Sequence, residues 1–435
     1  MKQLGAKNMI NINEISKEKM PTATTANHYP IHRWYNFVAG YSPEYVYTTI
    51  MDFKERQGKL PVKIYDPFAG CATTNVVANS FNIPSIGVER NPIFFRIGQA
   101  KINATEVIDY ISDIADEFLE VISNNNLSPS IALLPDDART FLCKLFLDES
   151  LELLLQLKSV VMNYQGVKQS AGFIFLSKVM DMVTHSKTDG IYKAPTSKKQ
   201  YRTVDEAVVL AEKIFKEDIF QEQRNPNLCE YIYDSSVDYQ VEENTIDLIV
   251  FSPPYLNNFD FAEMTRMHMY FWGEAGSWRE ISDRHRNHML TNTTTALKLV
   301  RSNEIQEQLK LSLPNDLVTK LEPIVSELNI IKKTKPSRKD YDLIVYPYLA
   351  QMQQVLMNCF NALRSGGAIH IVVSDAAFYG IHIDTQDYLA EIMKSIGYTN
   401  VQIDQMRKRG DRWVLEKRTS SGKQLGEYEI FGLKE

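Results

Sequence analysis

Apolar positions along the chain follow two periods. Short β-branched and aromatic runs bounded by turn residues alternate with helical spacing, the pattern of a parallel sheet with crossover helices. Val62 to Asp66 (VKIYD) predicts a first strand, leading into DPFAGCATT and a helix from about Thr73 to Phe81. Ser85 to Glu89 (SIGVE) predicts a second strand, followed by a helix through Phe94, Ile97 and Ala100. From about Ile108 to Phe220 the spacing is nearly all helical, with polar interruptions at SNNNLSPS and KTDGIYKAPTSKKQYR. Strands resume at Cys229 to Asp234 and at Asp247 to Ser252, and an irregular segment follows from about Gly273 to Asp340. A helix from Pro347 to Leu363 then ends at Ser365-Gly366-Gly367, as glycine commonly ends helices. AIHIVVSD, a helix over DYLAEIMKSIG, and two strands, NVQIDQM and YEIFGLK, complete about seven strands, the last two with no helix between them.

Composition narrows the class. The 435 residues are 44% hydrophobic and 23% charged, as in an ordinary globular protein, and a net charge of −6 argues against wholesale coating of nucleic acid while leaving room for a local basic cleft. Cys71, Cys143, Cys229 and Cys359 lie far apart without CxxC spacing, so buried reduced thiols are expected and a structural zinc is not. The first residues lack a signal-peptide core, and no apolar run reaches the roughly 18 residues of a membrane helix, so a cytoplasmic protein is expected.

In YDPFAGCATT an acid ends the first strand and a small-residue turn precedes a helix. Gly70 lets the backbone approach a ligand, and the helix N-terminus offers unpaired N–H groups. The spacing and the missing lysine exclude a P-loop. Glu89 closes the second strand about 20 residues after the turn, where an acid can accept hydrogen bonds from both hydroxyls of a ribose. The pair indicates a nucleoside-type ligand but leaves NAD and S-adenosylmethionine both open.

The strand ending at Ser252 runs into Pro253, Pro254 and Tyr255. Each proline fixes φ near −65° and lacks an N–H, so the exit is stiff and its carbonyls face outward without competing donors. A planar amino group fits such a site: its two hydrogens can bond the Ser252 side chain and the Pro253 carbonyl. Tyr255 can stack on the ring that bears the amine, with Phe259 and Phe261 nearby to hold a flipped base. Acceptors that draw the hydrogens out of plane free the nitrogen lone pair to attack a sulfonium methyl. Methylation at cytosine carbon 5 would need a cysteine nucleophile, usually in Pro-Cys, and no cysteine here follows a proline.

With DPFAG, the acid after the second strand and SPPY in place, the sequence resembles the amino-methylating DNA methyltransferases, and among them the N4-cytosine group. The resemblance implies an α/β, Rossmann-like, S-adenosylmethionine-dependent methyltransferase fold with a mostly parallel sheet and a helical insertion. DPFAGCATT is similar to the family's cofactor motif at Asp66, Phe68, Gly70, Thr73 and Thr74, and departs from it at Ala72, where glycine is usual. By the same resemblance Glu89 would hold the ribose with Asn91 close by, Asp234 would approach the adenine amine, and Tyr35 or Phe37 in HRWYNFVAGYSPEYV would meet the methionine end. SVDYQVEENTIDLIVFSPPYLNNFDFAEMTRMHMYFWG resembles the catalytic block, which implies catalytic roles for Ser252, Pro253, Pro254 and Tyr255.

This divides the chain into a cofactor half (1–104), a helical insertion (105–228), catalytic strands (229–272), a basic irregular insertion (273–340) and a C-terminal part (341–435). The implied partners are double-stranded DNA and a cognate restriction endonuclease or defence complex. DNA contacts are expected of Phe259, Arg286, Lys332, Lys333 and Lys335, and of Arg407 and Arg409 in RKRGDRW; Lys193, Lys198, Lys199 and Arg202 form a further basic group in the first insertion. Ser252, in place of Asp or Asn, favours cytosine N4 over adenine N6. An RNA methyltransferase and a silent cofactor-binding scaffold are the other readings.

Overall fold

The computed structural model describes residues 26, 28–37, 39–124, 130–189, 192–218, 228–257, 260–291, 300–336, 339–408 and 425–435. Its centre is a seven-stranded sheet. In chain order the strands are β1 (Ile64–Asp66), β2 (Ser85–Glu89), β3 (Cys229–Tyr233), β4 (Ile246–Phe251), β5 (Leu363–Ser374), β6 (Thr399–Lys408) and β7 (Gly426–Leu433), and across the sheet they run β6-β7-β5-β4-β1-β2-β3. β3, β2, β1, β4 and β5 are mutually parallel, whereas β7 is antiparallel to both its neighbours. β4 is buried at every position because it lies between two parallel neighbours under helices on both faces, which is why its sequence reads as a nearly unbroken apolar run. The order reverses direction between β1 and β4, so the crevice beyond their carboxyl ends is where such a sheet takes its ligands.

Helices cover both faces. We label them α1 (Pro43–Gln57), α2 (Thr73–Ser80), α3 (Pro92–Ile102), α4 (Ile111–Asn124), α5 (Asp148–Asn163), α6 (Gly166–Val183), α7 (Val204–Glu217), α8 (Arg266–Trp272), α9 (Asn315–Lys332), α10 (Val345–Ala362) and α11 (Thr385–Ile396). Ser42 caps α1 by accepting from the Tyr45 amide at 3.1 Å, and Gly58 closes it in the left-handed region at φ 70°. Tyr45, Val46, Ile50 and Phe53 of α1 pack on Val250, Ala368 and Val372 of the sheet. The helical insertion shares one apolar core with α3 and α8 through Phe118, Phe173, Phe175 and Phe215, and Trp34 stacks on Phe215 at 4.4 Å.

Three expectations change. The polar stretch after α6 forms a hairpin of Ser186–Asp189 with Tyr192–Lys198, whose mixed polar composition carries no two-residue alternation. The segment expected to be irregular holds Asn303–Leu311 and α9, and α9 runs through Pro323, a residue that normally breaks a helix because it has no N–H to donate. The helix before β5 stops at Ala362, where Leu363 turns extended; the glycines lie inside the strand, with Gly366 at φ 78° and its amide donating to Lys434 O at 2.7 Å. Among the described residues no helix is long and apolar enough to cross a membrane.

Candidate active site

The turn after β1 is built around a buried carboxylate. Asp66 Oδ1 accepts from the Phe68 amide at 2.9 Å, and Oδ2 accepts from Tyr41 Oη and Thr74 Oγ1, both at 2.6 Å; the two hydroxyls are also in hydrogen-bond contact with each other. Burial pushes the Asp66 carboxyl up to about 6, against the pull of these donors. With both oxygens engaged, Asp66 shapes the turn from within. Gly70 follows at φ 56°, its amide donating to Glu89 Oε2 at 2.9 Å and its carbonyl accepting from Tyr231 Oη at 2.6 Å. Ala72, where the resembling family has glycine, sits at φ 64° and caps α2. An alanine in that conformation costs about 1 kcal/mol relative to glycine, and the turn forms regardless.

Glu89 ends β2 directly beside this turn. Its other oxygen accepts from the Asn91 amide at 2.6 Å, and burial pushes the carboxyl up to about 8. Asn91 is committed to scaffolding: Oδ1 caps α3 through the Ile93 amide at 3.0 Å, while Nδ2 donates to Thr265 Oγ1 at 2.9 Å and Phe261 O at 3.2 Å, tying α3 to the helices after SPPY. Asp234, just past β3, is half-buried, with Oδ1 accepting from the Ser235 amide at 2.7 Å. Phe68 packs on Phe251 with ring centroids 5.6 Å apart, and Thr73 is half-buried at the start of α2.

Of the two N-terminal aromatic candidates, Phe37 lies over the glycine turn. A Cβ on Gly70 would come within 3.1 Å of its ring, which also packs edge-on against Phe94 at 4.7 Å. Tyr35 lies deeper, against Phe94 and the buried His268, whose ring burial pushes down to about 4.

SPPY leaves β4 across the switch point from the glycine turn. Ser252 Oγ donates to Val372 O of β5 at 2.9 Å, and Tyr255 Oη donates to Glu427 Oε1 of β7 at 2.7 Å. Pro253 is buried and Pro254 half-buried. Downstream, Asp260 caps the short helix Phe261–Met264 through the amides of Ala262 and Glu263, at 3.0 and 3.2 Å. Its own amide donates to Tyr192 Oη of the insertion hairpin at 2.7 Å, and Arg286 Nη2 pairs with Asp260 Oδ2 at 2.7 Å. Phe261 packs against Phe37 and Phe94; Phe259 lies outside the described residues.

The expected DNA contacts separate into two groups. Arg286 is buried, ion-paired to Asp260 and stacked on Trp278 at 4.1 Å, so it holds the SPPY loop from within the fold. Lys332 is held by Asp340 and Asp342 at 2.9 and 2.8 Å, and Arg407 Nε by Glu427 Oε2 at 2.5 Å, because each faces a carboxylate the sequence places far from it or past a turn. In the first insertion Lys193 and Lys199 likewise turn toward Asp181. Lys333 and Lys335 are exposed, the latter 5.9 Å from the Tyr379 ring, and Lys198 and Arg202 are exposed too; Arg409 lies outside the described residues.

Sequence reasoning missed Tyr41, Tyr192, Tyr231, Asp260 and Glu427. Only Asp260 carried a local signal, an acid just before FAEM in N-cap position.

No protein-family model matches the chain. It is 21% identical to Type II methyltransferase M.BsoBI of Geobacillus stearothermophilus over 448 aligned positions, covering 92% of this chain and 83% of that protein. It is 22% identical over 400 positions to Type II methyltransferase M.AvaI of Nostoc sp. (strain PCC 7120), covering 85% and 79%, and the same figures hold for M.AvaI of Anabaena variabilis. The chain thus has a Rossmann-like methyltransferase fold and is similar, over most of its length, to Type II methyltransferases.

Proposed function

We propose that this chain transfers a methyl group from S-adenosylmethionine to an exocyclic amine of double-stranded DNA, with cytosine N4 the favoured acceptor, as the modifying member of a restriction-modification or defence system. The observation that carries the reading is the commitment of Ser252. Its hydroxyl is the donor both to Val372 O at 2.9 Å and to Tyr255 Oη at 3.5 Å, so its oxygen meets any further group as an acceptor, and it does so at the carboxyl end of β4, beside the glycine turn. The relatives' names support methyl transfer, and the sheet order supports an adenosyl ligand at the β1/β4 crevice.

The residues present fit that ligand. Its ribose hydroxyls and adenine amine need acceptors, and the carboxyl groups of Glu89, whose oxygens keep lone pairs beside the amides they hold, and of Asp234 stand at the ends of neighbouring β2 and β3. Gly70 keeps bare backbone under Phe37, where a Cβ would crowd the ring. Thr73 and Phe68 flank the same turn. When bound, S-adenosylmethionine supplies an electrophilic methyl on sulfur. Ser252 Oγ and the Pro253 carbonyl accept the two amine hydrogens and draw the nitrogen toward tetrahedral geometry, which frees its lone pair. Pro254 holds the exit stiff, and Tyr255 and Phe261 hold the base, which must leave the duplex to reach them. Ser252 favours cytosine because adenine-N6 enzymes more often carry Asp or Asn at this position.

Unmodified bacterial DNA incubated with the protein and methyl-labelled S-adenosylmethionine should yield N4-methylcytosine on nucleoside mass spectrometry. N6-methyladenine would overturn the choice of base, and label entering total RNA but not DNA would overturn the choice of polymer. Ser252→Ala should lower kcat by about 100-fold while calorimetric affinity for S-adenosylmethionine stays within about two-fold of wild type.

A further inference from the structure

The two prolines fix the backbone at the strand exit, and the Tyr255 ring packs against the core with its hydroxyl 3.5 Å from Ser252 Oγ. The shortest tie on that hydroxyl comes from the last strand of the sheet. Tyr255 Oη donates to Glu427 Oε1 at 2.7 Å, and Glu427 is 4% exposed on β7, 172 residues later in the chain. Arg407 stands directly across from Glu427 on β6 and donates Nε to its second oxygen at 2.5 Å. A register shift between Gln405 and Arg407 precedes this pair, and such a bulge re-aims the side chain that follows it.

The start of β7 is itself pinned. Gly426 N donates to Asp375 Oδ1 at 2.8 Å, and Gly426 O accepts from Ser374 Oγ at 2.7 Å. A Cβ on Gly426 would come within 2.8 Å of the Tyr428 ring, so the residue before Glu427 has no room for a side chain. Glu427 therefore has little freedom of its own. Both of its oxygens are held, Oε2 by Arg407 Nε and Oε1 by the Tyr255 hydroxyl, so the buried group is paired on each side.

We infer that Glu427 is a positioning residue, which, backed by Arg407, fixes the ring of Tyr255 for stacking on the target base. This rests on the proposed methyl transfer to DNA and adds to it a determinant from the last strand of the sheet. Tyr255 touches the base; Glu427 acts through Tyr255. Losing the Tyr255–Glu427 bond should leave the cofactor site, on the far side of β4, unchanged.

The test uses the full chain, unmodified bacterial DNA and labelled S-adenosylmethionine, with wild type, Tyr255→Phe, Glu427→Ala, Glu427→Gln and the Tyr255→Phe/Glu427→Ala double variant. Melting temperature and S-adenosylmethionine affinity by calorimetry report on folding; the near-isosteric Tyr255→Phe and Glu427→Gln keep the test open if Glu427→Ala does not fold. Tyr255→Phe and Glu427→Ala should each lower kcat about ten-fold or more, with cofactor affinity within about two-fold, and the double variant should match the worse single one. Glu427→Gln, which still offers a carbonyl acceptor, should recover to within about three-fold of wild type. Full kcat in both Tyr255→Phe and a folded Glu427 variant, or multiplying losses in the double variant, would overturn the inference while methyl transfer by wild type stands. No transfer to DNA by wild type would remove the proposed function and the inference together.

Discussion

The turns after β1 and after β4 leave the same edge of the sheet, and they are held in opposite ways. The first is closed mainly by near neighbours: Asp66 gathers the Phe68 amide and Thr74, with Tyr41 only 25 residues upstream, and Glu89 takes the Gly70 amide from 19 residues away. The second is held mainly by distant partners, Val372 for Ser252, Glu427 for Tyr255 and Tyr192 for Asp260, with Arg286 of the second insertion pairing with Asp260 as well. A turn closed mainly by near neighbours has most of its ties once its own βαβ unit and Tyr41 are in place, with Tyr231 adding one from β3. A turn held from afar needs both insertions and the final strand in place, so damage far along the chain reaches it directly.

The clamp on the second turn is broken most sharply at Arg286. Arg286→Ala leaves the buried Asp260 carboxylate without its charge partner and should cost about 3–5 kcal/mol in urea denaturation, with a fall in kcat because the end of the SPPY loop loses its clamp. Asp66→Ala removes the common acceptor of three buried donors in the near-neighbour turn and should cost about 3 kcal/mol in the same assay, together with cofactor affinity. Equal, small losses at both positions would erase the distinction.

A gentler probe is pH. Glu89 is raised from 4.5 to about 8 and Asp66 from 3.8 to about 6, in both cases by burial. The folded chain therefore keeps protons that the unfolded chain gives up, and stability falls as pH rises from about 4 to 8. Melting temperature of the ligand-free protein should drop across that window, and Glu89→Gln should flatten the part above about pH 6, where Asp66 no longer titrates. The smallest effect on stability belongs to the exposed lysines. The double change Lys333→Ala and Lys335→Ala should alter unfolding by under about 0.5 kcal/mol; as phosphate contacts, the pair would lower the salt slope of DNA binding by about 0.9 each.

How far each region could be read from sequence follows from the same distinction. DPFAGCATT and Glu89 were legible because strand, turn, helix start and acid are contiguous and each residue type has a local geometric reason. The paired last strands were legible too, since no helical spacing lies between NVQIDQM and YEIFGLK. Arg286, Lys332 and Arg407 looked like phosphate contacts because a cation's partner is invisible when it lies across a fold: Asp260 is 26 residues from Arg286, and Glu427 is 20 residues from Arg407 on a neighbouring strand. Gly366 and Gly367 read as a helix stop because glycine marks any left-handed turn, including one inside a strand such as β5. Pro323 hid α9 for the complementary reason, that packing of Leu317, Leu321 and Leu328 outweighs one missing hydrogen bond.

Strand β7 is made last and inserted between two strands made earlier. In the order of synthesis, the ribosome delivers the glycine turn, then SPPY, and only after another 172 residues the glutamate that receives the tyrosine hydroxyl. Until then β5 presents an open edge and Tyr255 has no Glu427 to meet. The two halves of the crevice are therefore separated in time as well as in chain position: a nascent chain acquires its glycine turn early and the tie that anchors SPPY only as the sheet closes.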